Sequence, residues 1–400
     1  MVAERQAEWE NGSDCHTEAV LLKGKEERER MSKAEETRVC VGTDLHKQQM
    51  TVCAEDEETG EVLLREQYRT DAEGYEAFCE GLHRIEEETG KPIAIAVEAT
   101  GNARFFKNRM EKEGFEVLVV NTNKFKVITA STKKTDRQDA ATLAYYLMKG
   151  MLPESPLCDQ TSEELRRMLK ARSILVSSMV KIKNQIHGMM LGYGIETKAA
   201  QLQSKKKRQE LIQDLADHGY TQFSALSLQV TLNIVDAIGE QIKAVEKQIQ
   251  EMVREDDTVE LLMTVPGIGL INAATIASYT KDIQRFDHDF KRFASYLGVV
   301  PSVHNSGDSE HYGRITKRGP QTLRTAFVQA AMGMIRQPQK TGEWKLMKDY
   351  ELMKTNKGTG RAVIALTRKV ARIVFAILNT REPFNPELMK LDERNKKQTA

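Results

Sequence analysis

The spacing of hydrophobic positions between residues 38 and 149 predicts an α/β unit. Short apolar or alternating runs predict strands at 38–44, 50–54, 61–68, 92–98 and 116–121. Helical spacing predicts helices at 72–88, 103–113 and 134–149. Three strands followed by alternating helices and strands indicate a mixed sheet with helices on its faces, which is the order found in ribonuclease-H-like folds.

The pattern becomes helical beyond residue 156. Apolar residues recur every three or four positions in 161–192 and, more regularly, in 235–252. This spacing predicts a long antiparallel helical hairpin or an intermolecular coiled coil, and an ordinary helical bundle is an alternative that the spacing leaves open. Residues 257–383 are expected to form a mostly α-helical domain with glycine-rich turns.

Polar stretches and prolines divide the chain. Residues 1–37 and 384–400 lack periodicity, so we expect a flexible N-terminal extension and a charged tail. Pro153 and Pro156 separate an α/β domain from the coiled-coil or linker helices. The expected domains are 38–155, 156–256 and 257–383. Met31 precedes the first strand and is a candidate alternative start.

Composition excludes several protein classes. Of 400 residues, 40% are hydrophobic and 29% are charged, which is typical of a globular chain of two or three domains. No apolar run reaches the ~18 residues of a membrane span, since even the most apolar stretch, 362–378, is broken by Arg368, Lys369 and Arg372. Five scattered cysteines without a Cys-x-x-Cys pair predict reduced thiols in the cytoplasm.

Local charge is more informative than the net charge of +1. Basic groups occur at 205–208, between 124 and 137, and between 314 and 324. Such runs are more often solvated faces, but three of them in one chain favour contacts with nucleic-acid phosphates. The candidate contacts are Lys205, Lys206, Lys207, Arg208, Arg314, Lys317, Arg318 and Arg324.

Four carboxylates stand where strands end and a helix begins. Asp44 and Glu98 close two predicted strands, and the carboxyl ends of strands gather reactive groups in α/β sheets. Asp136 and Asp139 share one side of a helix start. Converging acids repel unless a cation neutralises them, and their oxygens suit Mg²⁺ and phosphodiester chemistry. The chain has 58 acidic residues, so chance placement, or helix capping by Asp136, is the alternative.

The segment 261–276 has the form of a helix-hairpin-helix. Pro266-Gly267-Ile268-Gly269 joins an apolar helix to a helix rich in small residues. Gly267 and Gly269 permit a tight turn whose backbone N–H groups suit a nucleic-acid phosphate. A plain turn in a helical core is the alternative.

A serine segment follows. Ser306 precedes Gly307 in a predicted flexible loop, and a group of arginines and lysines lies downstream. A serine hydroxyl is a weak nucleophile unless it is activated, and cations beside it can stabilise charge on a phosphate. Ser302 and Ser309 are rival candidates, and most loop serines are only solvated or capping residues.

Together these segments resemble a family of insertion-sequence transposases. That family combines an Asp-Glu-Asp-Asp RuvC-like domain with a C-terminal serine-bearing transposase domain, and its members are bridge-RNA-guided recombinases. The matching segments occur in the family's order within roughly 39–382, at 41–47, 97–101, 134–140, 266–269, 306–307, 315–319 and 323–324.

The resemblance implies roles for five residues. Asp44, Glu98, Asp136 and Asp139 would bind the metal, and Ser306 would be the nucleophile that becomes joined to DNA. It also implies a composite site, in which the serine of one subunit meets the acids of another. The implied assembly is a homodimer that pairs into a tetramer on donor and target DNA, guided by a structured noncoding RNA. Asn305 and Pro320 depart from the family's usual serine and asparagine.

Two other functions compete with this interpretation. A junction-resolving nuclease would use the carboxylates alone, and a non-enzymatic nucleic-acid-binding protein would need neither the carboxylates nor Ser306. The DNA substrate and the reduced thiols together predict a cytoplasmic, nucleoid-associated location.

Overall fold

The computed structural model describes residues 37–122, 124–125, 135–306 and 309–389, without the side chains of 205, 216 and 304–311. The chain divides between Leu157 and Cys158 into two compact units. Residues 1–36 of the predicted extension and most of the predicted tail lie outside the described part. So do three lysines of the basic group between 124 and 137: Lys126, Lys133 and Lys134.

A five-stranded mixed sheet forms the first unit. Its strands are β1 (Val39–Leu45), β2 (Gln49–Asp56), β3 (Val62–Arg69), β4 (Ile93–Glu98) and β5 (Glu116–Val120). Their order is β3-β2-β1-β4-β5, with β1, β4 and β5 parallel and β2 antiparallel to both of its neighbours. The helices are α1 (Ala72–Thr89), α2 (Ala103–Lys112) and α3 (Asp136–Met148). The predicted mixed α/β sheet is confirmed.

The two faces of this sheet differ in side-chain size. Because side chains alternate along a strand, the Val and Ile residues of β1 and β4 point to one face and the Cys, Gly and Ala residues to the other. The large residues share a buried core with Phe78 of α1 and Phe106 of α2. The small residues pack with Leu143 and Leu147 of α3.

Gly42 in β1 sets how close α3 lies to the sheet. A Cβ atom at Gly42 would lie 2.0 Å from the carbonyl oxygen of Ala140 and 2.5 Å from the backbone nitrogen of Ala144. Only glycine permits this approach of strand and helix backbones. The first turn of α3 therefore lies beside the carboxyl end of β1.

The second unit is mostly helical, as expected. Its helices are α4 (Gln160–Gly192), α5 (Lys205–Asp217), α6 (Gln222–Met252), α7 (Asp257–Met263), α8 (Leu270–Thr280), α9 (Phe290–Leu297), α10 (Gln321–Ile335), α11 (Pro338–Thr341), α12 (Lys345–Lys357) and α13 (Thr359–Thr380). Short 3₁₀ turns occur at Ala199–Leu202, Gln284–Phe286 and Pro386–Met389. Within the described residues, no helix is both long enough and apolar enough to cross a bilayer.

The long helices α4 and α6 pack in opposite directions. Leu169, early in α4, shares a core with Ile249, late in α6, whereas Ile186 and Leu232 share a second core with α5. The first of these cores also contains the helices after residue 257. Residues 156–256 therefore form no separate compact unit, because the base of the hairpin is part of the C-terminal core.

A two-stranded ribbon interrupts the helices. The strands β6 (Pro301–Ser306) and β7 (Ser309–Ile315) pair antiparallel, with Ser306 opposite Ser309. The prediction of a loop at Ser306 is therefore wrong for the backbone, which is extended and paired up to that residue. Val303, Tyr312 and Ile315 are residues that favour strands, which accounts for the difference in part.

Candidate active site

Asp44 and Glu98 lie side by side on the α3 face of the sheet. The parallel pairing places Thr43 opposite Val97, so the next residue of each strand is a carboxylate at the same level. Neighbouring strands are about 4.8 Å apart, and residues in register point to the same face. Asp44 is buried and Glu98 is half-buried.

The first turn of α3 adds two more carboxylates. Thr135 caps this helix by accepting a hydrogen bond from the backbone N–H of Gln138, so Asp136 is not the capping residue. Asp139 is buried, with 7% of its surface exposed, one turn before Leu143. Helix packing at Gly42 thus brings Asp136 and Asp139 to the strand end that carries Asp44.

His46 joins this cluster. Its Nε2 lies 3.2 Å from Oδ2 of Asp44 and 3.8 Å from Oδ1 of Asp136. One ligand atom from each of these three residues lies within 4.8 Å of the other two. The sequence prediction omitted His46, although its position two residues after Asp44 places both side chains on the same side of an extended chain.

Asn102, next to the start of α2, holds the turn that carries His46. Its Nδ2 donates a hydrogen bond to the carbonyl oxygen of His46 at 3.2 Å, and its Oδ1 accepts one from Thr100. The connection after β4 is thereby attached to the end of β1. Asn102 thus holds the backbone of His46 in place.

The electrostatics of the cluster suit a cation. Burial raises the pKa of Asp44 above its ordinary value; the negative charges of Asp136 and Asp139 raise it further, whereas His46 lowers it. A divalent ion would relieve this repulsion. Carboxylate oxygens are hard ligands, and an imidazole nitrogen extends the set to transition metals, so the residues fit a divalent metal.

Ser306 belongs to the second unit, and its side chain lies outside the described residues. Its backbone ends β6, at the far end of the ribbon from the Pro301–Ile315 pair. At the near end, the N–H groups of Thr316 and Lys317 donate to the carbonyls of Val300 and Gly298. The ribbon is therefore anchored beside α9 and extends towards Ser306.

The four predicted cations of this segment differ in how far they are buried and in their contacts with the rest of the unit. Arg324 is half-buried, and its Nη1 donates to the carbonyl of Leu297 at 3.1 Å. Arg318 is exposed, but its backbone lies against Gly298, where a Cβ atom would be 2.3 Å from its carbonyl oxygen. Arg314 and Lys317 are exposed and line one groove of this unit.

The other predicted nucleic-acid contacts also differ from one another. Gly267, with φ of 92°, packs against α10, where a Cβ atom would lie 2.5 Å from the carbonyl of Ala330. Gly269 is exposed at the start of α8. This arrangement assigns Gly267 to helix packing and leaves Gly269 on the surface.

The basic run at the start of α5 is divided in the same way. Lys206 and Lys207 are exposed, whereas Arg208 is buried and donates to Asp236 of α6 at 2.5 Å. Arg208 therefore connects two helices, and the side chain of Lys205 is not among the described ones.

Comparison with known families supplies an independent finding. A model described as "Transposase IS116/IS110/IS902 family" matches residues 259–344, and a DEDD-type IS110 model described as "Transposase" matches residues 41–195. The four clustered carboxylates fall within the second of these matches, and Ser306 falls within the first.

Curated relatives agree with these matches. The chain is 24% identical over 302 residues to a "Probable family 20 transposase" of Pseudomonas aeruginosa, covering 74% of this chain and 86% of the relative. It is 25% identical to the "Transposase for insertion sequence element IS1111A" of Coxiella burnetii, covering 72% and 79%. It is 24% identical to the "Transposase for insertion sequence element IS1328" of Yersinia enterocolitica, covering 84% and 96%.

Proposed function

Because the chain belongs to the IS116/IS110/IS902 family of insertion-sequence transposases, we propose that it cuts and rejoins DNA with Ser306 as nucleophile and a Mg²⁺-binding carboxylate site. The single observation that carries the proposal is the meeting of Asp44, His46 and Asp136 within 4.8 Å at one end of the sheet. The ribonuclease-H-like character of the fold, inferred from the mixed sheet, belongs to the same proposal.

The metal is assigned to Asp44, Glu98, Asp136 and Asp139. When bound, Mg²⁺ would withdraw charge from the scissile phosphate and stabilise the leaving oxygen. The chain's own contribution is placement. β1 and β4 fix two of the acids in register, and α3 presents the other two on one helical turn.

The chemistry requires no external oxidant or energy source. The Ser306 hydroxyl loses its proton and forms a P–O bond, while the phosphorus–oxygen bond to the leaving sugar breaks and that sugar oxygen takes up a proton. A sugar hydroxyl of a second strand then attacks the same phosphorus, which releases the serine and restores a phosphodiester. Arg314, Lys317 and Arg318 are proposed to hold the phosphate, as charge-assisted donors do.

The assembly is proposed to be a homodimer that forms a tetramer on donor and target DNA, with the serine of one subunit serving the acids of another. An exposed apolar stripe on α6 supports a second copy as a partner, because its members recur every three or four residues: Phe223, Leu226, Val230 and Ile234. Replacing Leu226 and Val230 by Glu is expected to give a monomer in light scattering. A monomeric unsubstituted protein would contradict the dimer.

A structured noncoding guide RNA is proposed from the family resemblance, and cytoplasmic, nucleoid-bound DNA is the proposed location of the reaction. Lys206 and Lys207, which are exposed on α5, are candidate contacts for either nucleic acid. Strand transfer measured with and without the transcript of the element's noncoding flank tests the guide. Equal target choice in both reactions would remove the RNA from the proposal.

Two substitutions test the chemistry. Ser306→Ala is expected to abolish the covalent protein–DNA adduct, which mass spectrometry would map to the Ser306 peptide, whereas Ser302→Ala is expected to retain it. Asp44→Asn is expected to abolish cleavage while DNA binding persists. Cleavage that survives Ser306→Ala but not Asp44→Asn would indicate a junction nuclease. If the unsubstituted chain binds DNA but neither cleaves it nor forms an adduct, the protein is a non-enzymatic binding protein.

A further inference from the structure

A groove of about 1680 Å³ crosses the second unit between α13 and the ribbon. One face of α13 is buried in the helical core through Leu366, Val370 and Val374. Its outer face supplies an apolar floor that includes Ile364 and Ala376. The apolar stretch 362–378 thus serves two surfaces, one in the core and one open to the groove.

The walls of this groove are strongly basic. Seven of the lining residues are Lys or Arg, and one, Glu382, is acidic. Arg361, Arg368 and Arg372 are exposed on α13 at helical spacing, and Arg314 and Lys317 lie on the ribbon side. Among the described residues, Arg361 and Arg368 form no salt bridge. Arg372 lies over the ring of Phe290, 4.8 Å from its centroid.

An apolar floor between basic walls matches the chemistry of an unpaired DNA strand. Arginines bind its phosphates, and base and deoxyribose faces pack on apolar and aromatic side chains such as the exposed Tyr312. We propose that this groove binds single-stranded DNA next to the cleavage point. This inference rests on the proposed function, because β7 lines the groove and pairs with β6, the strand that ends at Ser306.

Other occupants fit the groove less well. A duplex hides its base faces and would leave the apolar floor unused. RNA would bring 2′-hydroxyls to a floor that is mainly aliphatic, where Tyr312, Thr380 and Asn385 are the uncharged side chains that can form hydrogen bonds. The sequence after Met389 is a poor chemical match for a basic groove, because its cations outnumber its anions: Lys390, Arg394, Lys396 and Lys397 against Asp392 and Glu393.

The length of the arginine row gives the size of the site. Arg361 and Arg372 are eleven positions apart on α13, which corresponds to about 16 Å along a helix. At about 3.4 Å per phosphate of a stacked strand, this row spans roughly five nucleotides.

Fluorescence anisotropy with the full chain tests the groove. A labelled twelve-nucleotide oligothymidylate, the matching oligouridylate and a DNA duplex of the same length would be titrated in EDTA, so that binding of a metal ion to the carboxylates plays no part. The unsubstituted protein is expected to bind the single DNA strand at least tenfold more tightly than the other two. Tighter binding of either the RNA or the duplex would overturn the assignment.

Two variants locate the binding. The double substitution Arg361→Gln and Arg368→Gln is expected to weaken binding at least tenfold and to reduce the slope of log K against log salt by about 1.4. Its matched control, Lys340→Gln with Lys348→Gln, removes the same charge from exposed positions outside the groove and is expected to change the affinity less than twofold. Equal losses in the two pairs would reduce the effect to net charge and overturn the site.

Ala376→Glu tests the floor without touching the core. Ala376 is exposed, so its carboxylate would enter the groove and is expected to weaken binding of the single strand at least fivefold. Unchanged affinity would contradict the proposal. The adduct assay at Ser306 separates the groove proposal from the proposed function. If all groove variants bind single-stranded DNA and form the adduct normally, the groove proposal is wrong and the recombinase proposal stands.

Discussion

The strand that carries Asp44 is packed between two other strands and a helix, whereas the ribbon that carries Ser306 is attached to its unit at one end. β1 pairs with β2 and β4 and is covered by α3, so Asp44 lies on a central strand. In the described part of the second unit, β6 and β7 pair only with each other, and Val303 and Tyr312, which face each other, are both exposed. Isolated two-stranded ribbons are weakly stable.

This difference indicates where each part of the proposed chemistry is fixed. The packing of the first unit sets the positions of the acids, since a shift of the sheet or of α3 would disturb a buried core. The ribbon is attached at its Gly298 end, and contacts with DNA or a second subunit are expected to set the position of Ser306.

The largest effect is expected from the carboxylates of α3. Asp139→Asn should reduce strand transfer by about 10³-fold, the order seen when one group that stabilises transition-state charge is removed. Asp71→Asn is the matched control, because Asp71 caps α1 and lies outside the cluster. Strand-transfer rates and melting temperatures would be compared. A rate loss in Asp71→Asn as large as in Asp139→Asn would contradict a special role for the cluster.

Gly42→Ala tests whether packing alone places the acids. The added methyl group would push α3 from β1 and is expected to lower the free energy of unfolding by roughly 1–3 kcal/mol. It should slow strand transfer by about 100-fold, because displacement of reacting groups by about 1 Å has that effect. Gly101→Ala, with no atom within 4 Å of its added methyl group, should behave as the unsubstituted chain. Full activity of Gly42→Ala would show that α3 need not lie so close.

Acid is expected to lower the free energy of unfolding of each unit through one carboxyl group, which is Asp56 in the first unit. Hydrogen bonds from Lys91 and from the backbone of Thr59 and Glu58 lower the pKa of Asp56 to about 2. Because the folded-state pKa lies below the ordinary value, the stabilisation is full above about pH 4 and is lost as the pH falls towards 2. Asp56→Asn should remove about 1–2 kcal/mol at pH 7 and flatten this acid dependence, as urea unfolding at several pH values would show.

The second unit has a counterpart in Asp159. Burial of Asp159 alone would raise its pKa, but hydrogen bonds from Ser162 and Lys281 lower it to about 2. Asp159→Asn should therefore destabilise the second unit over the same pH range and leave the first unchanged. An unfolding transition of the first unit that moves in Asp159→Asn would contradict the independence of the two effects.

The smallest effect is expected on the ribbon. Val303→Ala and Tyr312→Ala remove exposed side chains, so each should change the free energy of unfolding by less than about 1 kcal/mol. The melting temperature should hardly move, although strand transfer falls if these residues contact DNA. A large loss of stability would show that the ribbon is as firmly packed as the sheet.

Sequence patterns predicted the parts of the molecule that depend on local periodicity. The strands that end near Asp44 and Glu98, and the helix that begins near Asp136, lie within one or two residues of their predicted bounds. His46 was missed because its role depends on where α3 returns to the sheet, which is set by the contact at Gly42. Arg208 illustrates the same limit: a basic run predicts an exposed face, but the partner that buries Arg208, Asp236, lies in another helix.

Under the proposed assignment of the metal, the small residues beneath α3 make the affinity for the ion a measure of the position of this helix. Asp136 and Asp139 lie on one rigid turn, so sliding of this helix over Cys40, Gly42 and Ala96 carries both acids together relative to Asp44. A titration with Mn²⁺ would then register displacements too small to change the melting temperature. Substitutions of these small residues could be ranked by ion affinity alone, with no DNA present.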